Sequence, residues 1–220
     1  MAPLPPPLPE GGLTFTYEPS VAALNISVKS FVAARPLIAN AAASAIVFSR
    51  ATGEDRVLLI QRAPHDSMPL LWEVPGGACD PEDETILHAV GRELWEEAGL
   101  KLKRVVRQVG PELALLGKRL WSKVTCEVEV EVEGGDSETT LPKVTLDPNE
   151  HVRFLWATED ECRSGKVAVL RSDGEKEIVD IRFTSKDQKA VILLGFKLRK
   201  QDGQHSMDKT EGTQSEEKLS

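Results

Sequence analysis

Apolar positions along this 220-residue chain follow two spacings, and each spacing predicts a different kind of element. The runs "AAASAIVFS" and "RVLLIQR" are short and apolar, and the turn-forming stretch "RATGED" separates them, so they predict two strands in a hairpin-like pair. The run "LWSKVTCEVEVEVEG" alternates apolar and polar residues over most of its length, which is typical of a half-buried strand. "HVRFLWA" predicts one further strand.

Three other segments predict helices. In "TILHAVGRELWEEAG" the apolar residues fall on one stripe at ~100° per residue: Ile86, Leu87, Val90 and Leu94. That helix is expected to end near Gly99, because glycine commonly follows a helix. "SVKSFVAARP" predicts a short helix capped by Ser27 and ended before Pro36, and "TSKDQKAVILLGFKLRK" predicts a C-terminal helix. Strands interspersed with isolated helices predict an α/β fold, a mixed β-sheet flanked by helices.

The two ends differ in composition from the middle of the chain. Residues 1–36 begin with "MAPLPPPLPEGG", whose prolines and glycines favour an extended lead-in, and an accessory segment follows it. Whether residues 13–36 cover a functional site stays open at this stage. Residues 37–200 form the predicted domain. Residues 201–220 contain almost no apolar side chains, so we expect a disordered polar tail.

Composition narrows the setting. A hydrophobic content of 40% is enough to bury the core of one domain. The formal net charge of −8 argues against a nucleic-acid polymer or an anionic membrane surface as the main partner. Cys79, Cys126 and Cys162 form no C-x-x-C pair, which suits a reducing compartment. Since the chain has no secretory signal pattern and no run long enough to span a bilayer, we expect a cytoplasmic protein, with the nucleus as the alternative.

Carboxylates are concentrated in "GGACDPEDETILHAVGRELWEEAGL", residues 76–100. On the predicted helix, Glu93, Glu96 and Glu97 share an arc beside the apolar stripe. Glu93 and Glu97 place like charges one turn apart, in the last turn, where the helix dipole disfavours negative charge. A solvated charged surface is one interpretation. We favour a site for a hard divalent cation, because residues that destabilise their own helix usually mark a functional site. Hard divalent cations bind carboxylate oxygens.

The spacing within this segment resembles the Nudix box, G-x5-E-x7-R-E-U-x-E-E-x-G-U, in which U is a bulky apolar residue. The residues in register are Glu84, Arg92, Glu93, Leu94, Glu96, Glu97, Gly99 and Leu100. One departure is present, because the loop "ACDPED" between Gly77 and Glu84 carries one residue more than the pattern. With the preceding "WEVPGG", the chain resembles a Nudix hydrolase from residue 37 to about residue 200. The resemblance implies a Nudix-type α/β/α sandwich with a loop–helix–loop catalytic motif.

The resemblance also implies Mg²⁺ (or Mn²⁺) as the cofactor and assigns roles by position. The implied metal ligands are the box glutamates and one backbone carbonyl: Glu93, Glu96, Glu97 and Gly76. Arg92 and Glu84 are expected to brace each other and so to fix the loop–helix–loop without taking part in the chemistry.

A further acidic residue often comes from a downstream loop in this family, and "LDPNEHVRFLW" resembles that segment. Glu150 is therefore the candidate, with a solvated loop glutamate as an equal alternative. Glu93 is the first choice for the general base, and Glu150 is the second.

Residues outside the box are candidates for holding the substrate. Trp72 could stack on a nucleobase, but a packed core position is favoured. Basic side chains that could meet phosphates, or simply lie at strand edges, are Arg62, Lys118, Arg119 and Lys123. The residues expected at the solvent face or surface are Glu127, Glu129, Glu131, His65, His88 and His151.

The resemblance implies a hydrolase that cleaves the diphosphate linkage of a small molecule, a nucleoside diphosphate joined to another group X, by attack of water at phosphorus. A catalytically silent Nudix-fold module that binds nucleotides is the first alternative. A prenyl diphosphate isomerase, which needs a reactive cysteine, is the second. Sequence markers of several substrate classes are absent, so X stays open, and a homodimer is kept as an option.

Overall fold

The computed structural model describes residues 7–116, 120–132, 134, 140–170 and 174–216, with side chains described up to residue 204 apart from 115 and 116. It confirms the α/β class. The strands are β1 (Thr16–Tyr17), β2 (Asn40–Ser49), β3 (Arg56–Arg62), β4 (Trp72–Glu73), β5 (Gly76–Ala78), β6 (Leu102–Gln108), β7 (Leu113–Leu116), β8 (Leu120–Val130), β9 (His151–Thr158), β10 (Lys166–Leu170) and β11 (Lys176–Asp180). The helices are α1 (Val28–Ala33), α2 (Ile86–Ala98), α3 (Glu159–Ser164) and α4 (Lys186–Glu216), with a 3-10 helix at Pro19–Leu24.

A mixed sheet forms the centre of the described part of the chain. Its main path runs β1-β6-β8-β2-β3-β4, while β5 adds to β2, β7 to β8 and β9 to β3. β2 is parallel to β8, whereas β2 and β3 are antiparallel, with Phe48 opposite Val57. The hairpin-like pairing predicted for these two strands is therefore confirmed. β10 and β11 form a separate antiparallel hairpin.

Helix α2 covers one face of the sheet. It begins after Thr85, whose hydroxyl accepts a hydrogen bond from the amide of His88 at 3.3 Å. It ends at Gly99, which takes the left-handed conformation with φ 63°. The predicted apolar stripe is fully buried in the core on this face: Ile86, Leu87, Val90 and Leu94.

Helix α4 covers the opposite face, so the described residues form an α/β/α sandwich. Val191, Ile192 and Phe196 pack against the β2 side chains Ile46 and Phe48. No described helix combines the length and apolar content needed to cross a membrane.

The C-terminal helix is longer than the sequence predicts. Residues 201–216 continue α4 instead of forming the disordered tail that we expected, while residues 217–220 lie outside the described part. Extending an existing helix adds hydrogen bonds without a new nucleation cost, so polar residues can continue it. Asp202 in this extension forms an ion pair with Arg107 of β6.

The same helix changes the surroundings of Glu127, which was expected on the solvent face of its strand. Glu127 is buried instead, so that prediction is wrong. Arg199 of α4 donates to its Oε1 at 3.0 Å, and Arg107 lies 2.9 Å from its Oε2. Burial of this carboxylate is therefore compensated by two guanidinium groups. Glu129 and Glu131 pair with Arg104 and Lys101 at the partly exposed end of the strand.

The N-terminal segment packs on α2. Trp95 Nε1 donates to the carbonyl of Pro7 at 2.9 Å, so the lead-in is anchored there rather than freely extended. The Phe15 ring lies edge-on to His88 at 5.0 Å. The amide of Ile86 donates to the Ile26 carbonyl at 3.1 Å. Residues 1–6 lie outside the described part.

Candidate active site

Glu97 is the innermost carboxylate of α2. Its Oε2 accepts a hydrogen bond from the amide of Gly76 at 2.6 Å, which joins the helix to β5. Gly76 has φ 151°, and a Cβ there would lie 2.3 Å from the Cβ of Ser44, so only glycine permits this close approach. Burial, followed by the charges of Glu93 and Glu73, raises the pKa of Glu97 well above its usual range.

Glu93 is also buried, one turn before Glu97. Burial raises the pKa of Glu93 to about 7, although the adjacent Arg92 opposes the shift. A Cβ at Gly77 would lie 2.7 Å from Oε2 of Glu93, so this glycine leaves room for the carboxylate. Glu96 is partly exposed and accepts a hydrogen bond from Arg92 at 2.8 Å. Burial, followed by the charges of neighbouring carboxylates, raises the pKa values of Glu93 and Glu97, and a bound cation would favour the charged forms.

Arg92 joins the box loop to α2, but through Asp83 instead of Glu84. Its Nε donates to Oδ1 of Asp83 at 2.9 Å and its Nη2 to Oδ2 at 3.0 Å. Nη2 also donates to the carbonyl of Ala78 at 2.8 Å. The Glu84 side chain is 79% exposed and lies 3.4 Å from His88, so the expected bracing by Glu84 is wrong.

The extra loop residue explains this correction. Asp83, not Glu84, follows Gly77 at the spacing that the Nudix box gives to its first glutamate. The added residue therefore lies between the bracing carboxylate and α2. Glu84 is left beside the helix N-terminus, where it faces solvent.

Glu150 lies in the turn directly before β9. The amide of Ala63 donates to the Glu150 carbonyl at 2.8 Å, which fixes this turn against the end of β3. One ligand atom each of Glu97, Glu150 and His151 lies within 4.8 Å of the other two. The downstream loop singled out by the resemblance thus reaches the carboxylates of α2, although Glu150 itself is exposed.

His151 was expected at the surface and is instead only 2% exposed, so that prediction is wrong. Its Nε2 lies 3.6 Å from Oε1 of Glu73 and 3.9 Å from Oε1 of Glu97. β9 pairs with β3 from this residue onward, with His151 opposite Arg62. Sequence pattern alone could not reveal its burial, because the pairing joins segments far apart in the chain.

Arg62 is engaged by acidic neighbours in place of an open phosphate site. Its Nε and Nη2 donate to the two carboxylate oxygens of Asp66 at 2.9 and 2.6 Å. Its Nη1 donates to Glu73, which lies beside His151. The expected substrate contact is therefore not supported. Arg62 compensates the buried charge of Glu73 and so helps to shape the base of the site.

Lys123 is the basic candidate that reaches the acidic cluster. Burial lowers the pKa of Lys123, while the charges of Glu73 and Glu97 oppose that effect. Its Nζ lies 3.4 Å from Oε1 of Gln188, at the start of α4. Sequence analysis missed Gln188, which is a buried polar residue and carries no motif signal.

Trp72 is a core residue. Its side chain is 0% exposed, and its Nε1 donates to the Asp180 carbonyl at 3.1 Å. A stacking platform needs an accessible ring face, so the nucleobase-stacking role is wrong and the favoured core position is confirmed. Lys118 and Arg119 lie outside the described residues.

The donor set suits a divalent cation. Hard divalent ions prefer carboxylate oxygens, and several converge here, although Arg92 pairs with Glu93 and Glu96 at one side. His151 adds a buried ring whose two nitrogens have no hydrogen-bond partner among the described residues. The site therefore has a donor set that fits a divalent cation, in a protein of the α/β/α-sandwich class.

Comparison with known proteins agrees with this class. The family model for the NUDIX domain matches residues 39–188 of the chain. The match covers more than half of the sequence, and the protein therefore belongs to the NUDIX family and is a Nudix hydrolase.

Solved structures are similar to this chain, and the first one named here shares its fold. The NUDIX domain of Shewanella oneidensis NrtR, solved in complex with ADP ribose, is 15% identical; the alignment covers 72% of this chain and 86% of that one, with a TM-score of 0.52. A C. elegans Ap4A hydrolase complex is 20% identical, with 74% and 98% covered and a TM-score of 0.49. A MutT NUDIX hydrolase from Burkholderia pseudomallei is 17% identical, with 70% and 95% covered and a TM-score of 0.47.

Proposed function

We propose that this protein hydrolyses the diphosphate linkage of a nucleoside diphosphate joined to another group, with Mg²⁺ or Mn²⁺ as cofactor and water attacking phosphorus. The observation that carries the proposal is the convergence of Glu97 and Glu150 from distant parts of the sequence. Glu93 lies one helical turn from Glu97 in the same cluster. Such a cluster gains stability from a cation and can hold it against a phosphate group.

The acidic residues would share the binding of the cation: Glu93, Glu96, Glu97 and Glu150, with the Gly76 carbonyl. When bound, the cation neutralises charge on the phosphate oxygens and makes water more acidic. Lys123 supports binding of the substrate, because its ammonium group lies beside the cluster and attracts a phosphate oxygen. Arg92 keeps the box loop against α2 and so maintains the positions of the ligands.

Two residues are candidates for the general base. Glu93 is our first choice because it lies within the cluster, beside Glu97. Glu150 is the second, and its exposure gives it access to solvent water. Replacing each by glutamine separates them, because loss of the base lowers kcat and flattens the rise of kcat with pH. Loss of a cation ligand also lowers kcat but, in addition, raises the metal concentration needed for half-maximal rate, so the pH profile identifies the base.

Isotope labelling tests the reaction directly. We expect hydrolysis in ¹⁸O-enriched water to place the label on a phosphate of one product, and EDTA to abolish turnover until Mg²⁺ or Mn²⁺ is restored. Label found only on a carbon of the leaving group would contradict attack at phosphorus. Turnover that persists under excess chelator would contradict cation dependence.

The substrate class is best narrowed with a panel. Nucleoside diphosphate sugars, ADP ribose and Ap4A, followed by phosphate release or product separation, cover the chemistry proposed. Selective turnover of one class identifies the group X. A cytoplasmic location and a homodimer remain predictions from the sequence.

The two alternatives predict different outcomes. A silent binding module would bind nucleotide without incorporating label, but the chain retains the box glutamates that turnover requires. A prenyl diphosphate isomerase needs a reactive thiol. Burial raises the pKa of both Cys79 and Cys126 to about 12, which keeps the thiols protonated and unreactive at neutral pH. Incubation with isopentenyl diphosphate tests the second alternative.

A further inference from the structure

The imidazole of His151 is the least satisfied polar group beside the carboxylate cluster. Both ring nitrogens are buried, and neither has a hydrogen-bond partner within the described residues. Buried imidazoles normally bond through at least one nitrogen, because desolvating an unpaired polar atom is unfavourable. The absence of a partner therefore indicates that the ring binds something that is not part of the described chain.

The neighbouring carboxylates do not satisfy this ring. Oε1 of Glu73 lies 3.6 Å from Nε2 of His151, which is too far for a hydrogen bond, and it already accepts from Arg62. Oε1 of Glu97 lies farther away, at 3.9 Å. A structural pairing of His151 with either carboxylate therefore does not account for its position.

The arrangement has the form of a mixed nitrogen and oxygen ligand set. One ligand atom each of Glu97, Glu150 and His151 lies within 4.8 Å of the other two. Ligands on neighbouring corners of a six-coordinate ion are about 3 Å apart and opposite corners about 4 Å, from metal–ligand lengths near 2.1 Å. The upper limit of 4.8 Å lies slightly above that range, and Glu150 is exposed on a turn, where its side chain has freedom to adjust.

We propose that Nε2 of His151 is a ligand of the divalent cation held by Glu97 and Glu150, so that the site prefers a first-row transition-metal ion such as Mn²⁺ over Mg²⁺. Mg²⁺ strongly prefers oxygen ligands, whereas imidazole nitrogen is a favourable ligand for softer first-row ions. The inference rests on the proposed function only in requiring a cation at this site.

Pulsed electron paramagnetic resonance of the Mn²⁺-loaded full-length protein tests the bond itself. Protein grown with natural-abundance histidine should show modulation from a directly bound ¹⁴N nucleus. Protein grown with ¹⁵N-labelled histidine should show the pattern of ¹⁵N instead. Identical spectra from the two samples would overturn the proposal. This comparison requires no substitution, so it does not depend on the folding of a variant.

Substitution then assigns the nitrogen. His151→Gln should remove the modulation, whereas His65→Gln, at an exposed histidine, should retain it. We expect His151→Gln to weaken Mn²⁺ binding at least about tenfold, while Mg²⁺ binding, measured by competition, changes less than about threefold. Retained modulation in His151→Gln, or equal losses for both ions, would overturn the proposal.

These outcomes are separable from those of the proposed function. Nitrogen coupling in a protein that hydrolyses no diphosphate would support the ligand assignment and contradict the function. Hydrolysis with no nitrogen coupling would support the function and contradict the assignment.

Discussion

At the scale of single residues, the site contains buried carboxylates whose negative charge is unfavourable for folding. Glu97 is buried beside Glu93 and Glu73, and burial with these neighbours raises its pKa. One hydrogen bond from Gly76 offsets only part of this cost. A neutral side chain at this position would avoid the repulsion and would favour folding. A charged side chain in such a place therefore indicates a functional requirement.

Glu97→Gln is therefore expected to lower kcat more than about tenfold, equivalent to ~1.4 kcal/mol, while leaving the fold intact. The melting temperature without metal should hold or rise slightly, because glutamine keeps the volume and removes the repulsion. Steady-state kinetics and thermal unfolding measure the two effects. Glu84→Gln is the matched control. Because the Glu84 side chain is exposed, this substitution should change neither kcat nor the melting temperature. A loss in kcat below tenfold for Glu97→Gln would contradict its role as a cation ligand.

The Arg62–Asp66 pair should contribute stability that depends on pH. Burial is the largest single effect and raises the pKa of Asp66, but the hydrogen bonds from Arg62, the Met68 amide and Ser67 and the charge of Arg62 together outweigh it and lower the pKa to about 2. Because the folded-state pKa lies below its usual value of 3.8, the contribution is present above pH ~4 and is lost as the pH falls toward 2. Urea unfolding at several pH values measures this contribution. The difference in the free energy of unfolding between the native chain and Asp66→Asn should shrink as the pH falls through this range. A difference independent of pH would contradict the assignment.

At the scale of elements, the catalytic loop and α2 act as one unit because Arg92 bridges them. Its guanidinium donates hydrogen bonds to Asp83 of the loop, to the Ala78 carbonyl at the end of β5 and to Glu96 of the helix. The two glycines of β5 complete the unit by allowing Glu93 and Glu97 to approach the loop. The position of the carboxylates therefore depends on this loop–helix contact as well as on the helix.

Asp83→Ala should weaken that contact. We expect a loss of about 2 kcal/mol in the free energy of unfolding, because a charge-assisted pair of hydrogen bonds is removed from a side chain only 5% exposed. We also expect a higher metal concentration for half-maximal activity, since the loop no longer holds the ligands in place. Glu84→Ala, the adjacent exposed glutamate, serves as the control. Equal effects of the two substitutions would show that Asp83 is not the bracing residue.

At the scale of the whole molecule, two helices on opposite faces of a mixed sheet hold the site in place. β9 brings Glu150 to α2, while β8 brings Lys123 to the same cluster. The C-terminal extension of α4 lies away from this centre and meets the sheet through Asp202 and Arg107. The Asp202 side chain is 56% exposed, so this ion pair should contribute little.

Deleting residues 201–220 should therefore have a small effect. An exposed ion pair contributes about 0–1 kcal/mol, which corresponds to at most ~4 °C in the melting temperature of a chain of this size. Turnover should change less than about twofold, because no carboxylate of the cluster is removed. Calorimetry and kinetics check the two expectations. A fall of more than about 10 °C would show that the extension is an integral part of the fold.

The spacing of apolar residues was sufficient to predict the helices and strands in which that spacing is regular. The buried stripe and glycine end of α2 and the positions of strands β2, β3 and β8 follow the predictions. The predicted half-burial of β8 is wrong, because both of its faces are buried from Val124 to Val128. Short strands such as β4 and β5, with two or three residues each, were not predicted. Such strands carry no period of their own and exist because a neighbouring strand pairs with them.

The sequence by itself determined the class of fold, the family resemblance and the carboxylates of α2, because these follow from spacing along one helix and one loop. The tertiary structure decided which residues surround those carboxylates. In the structure, Asp83 and not Glu84 is the partner of Arg92. His151 and Glu127 are buried, and Trp72 lies in the core. The Asp83–Arg92 pair lies within one loop–helix segment and follows from the extra loop residue. The other outcomes depend on contacts between segments far apart in the chain, and such contacts leave no periodic signal in the sequence.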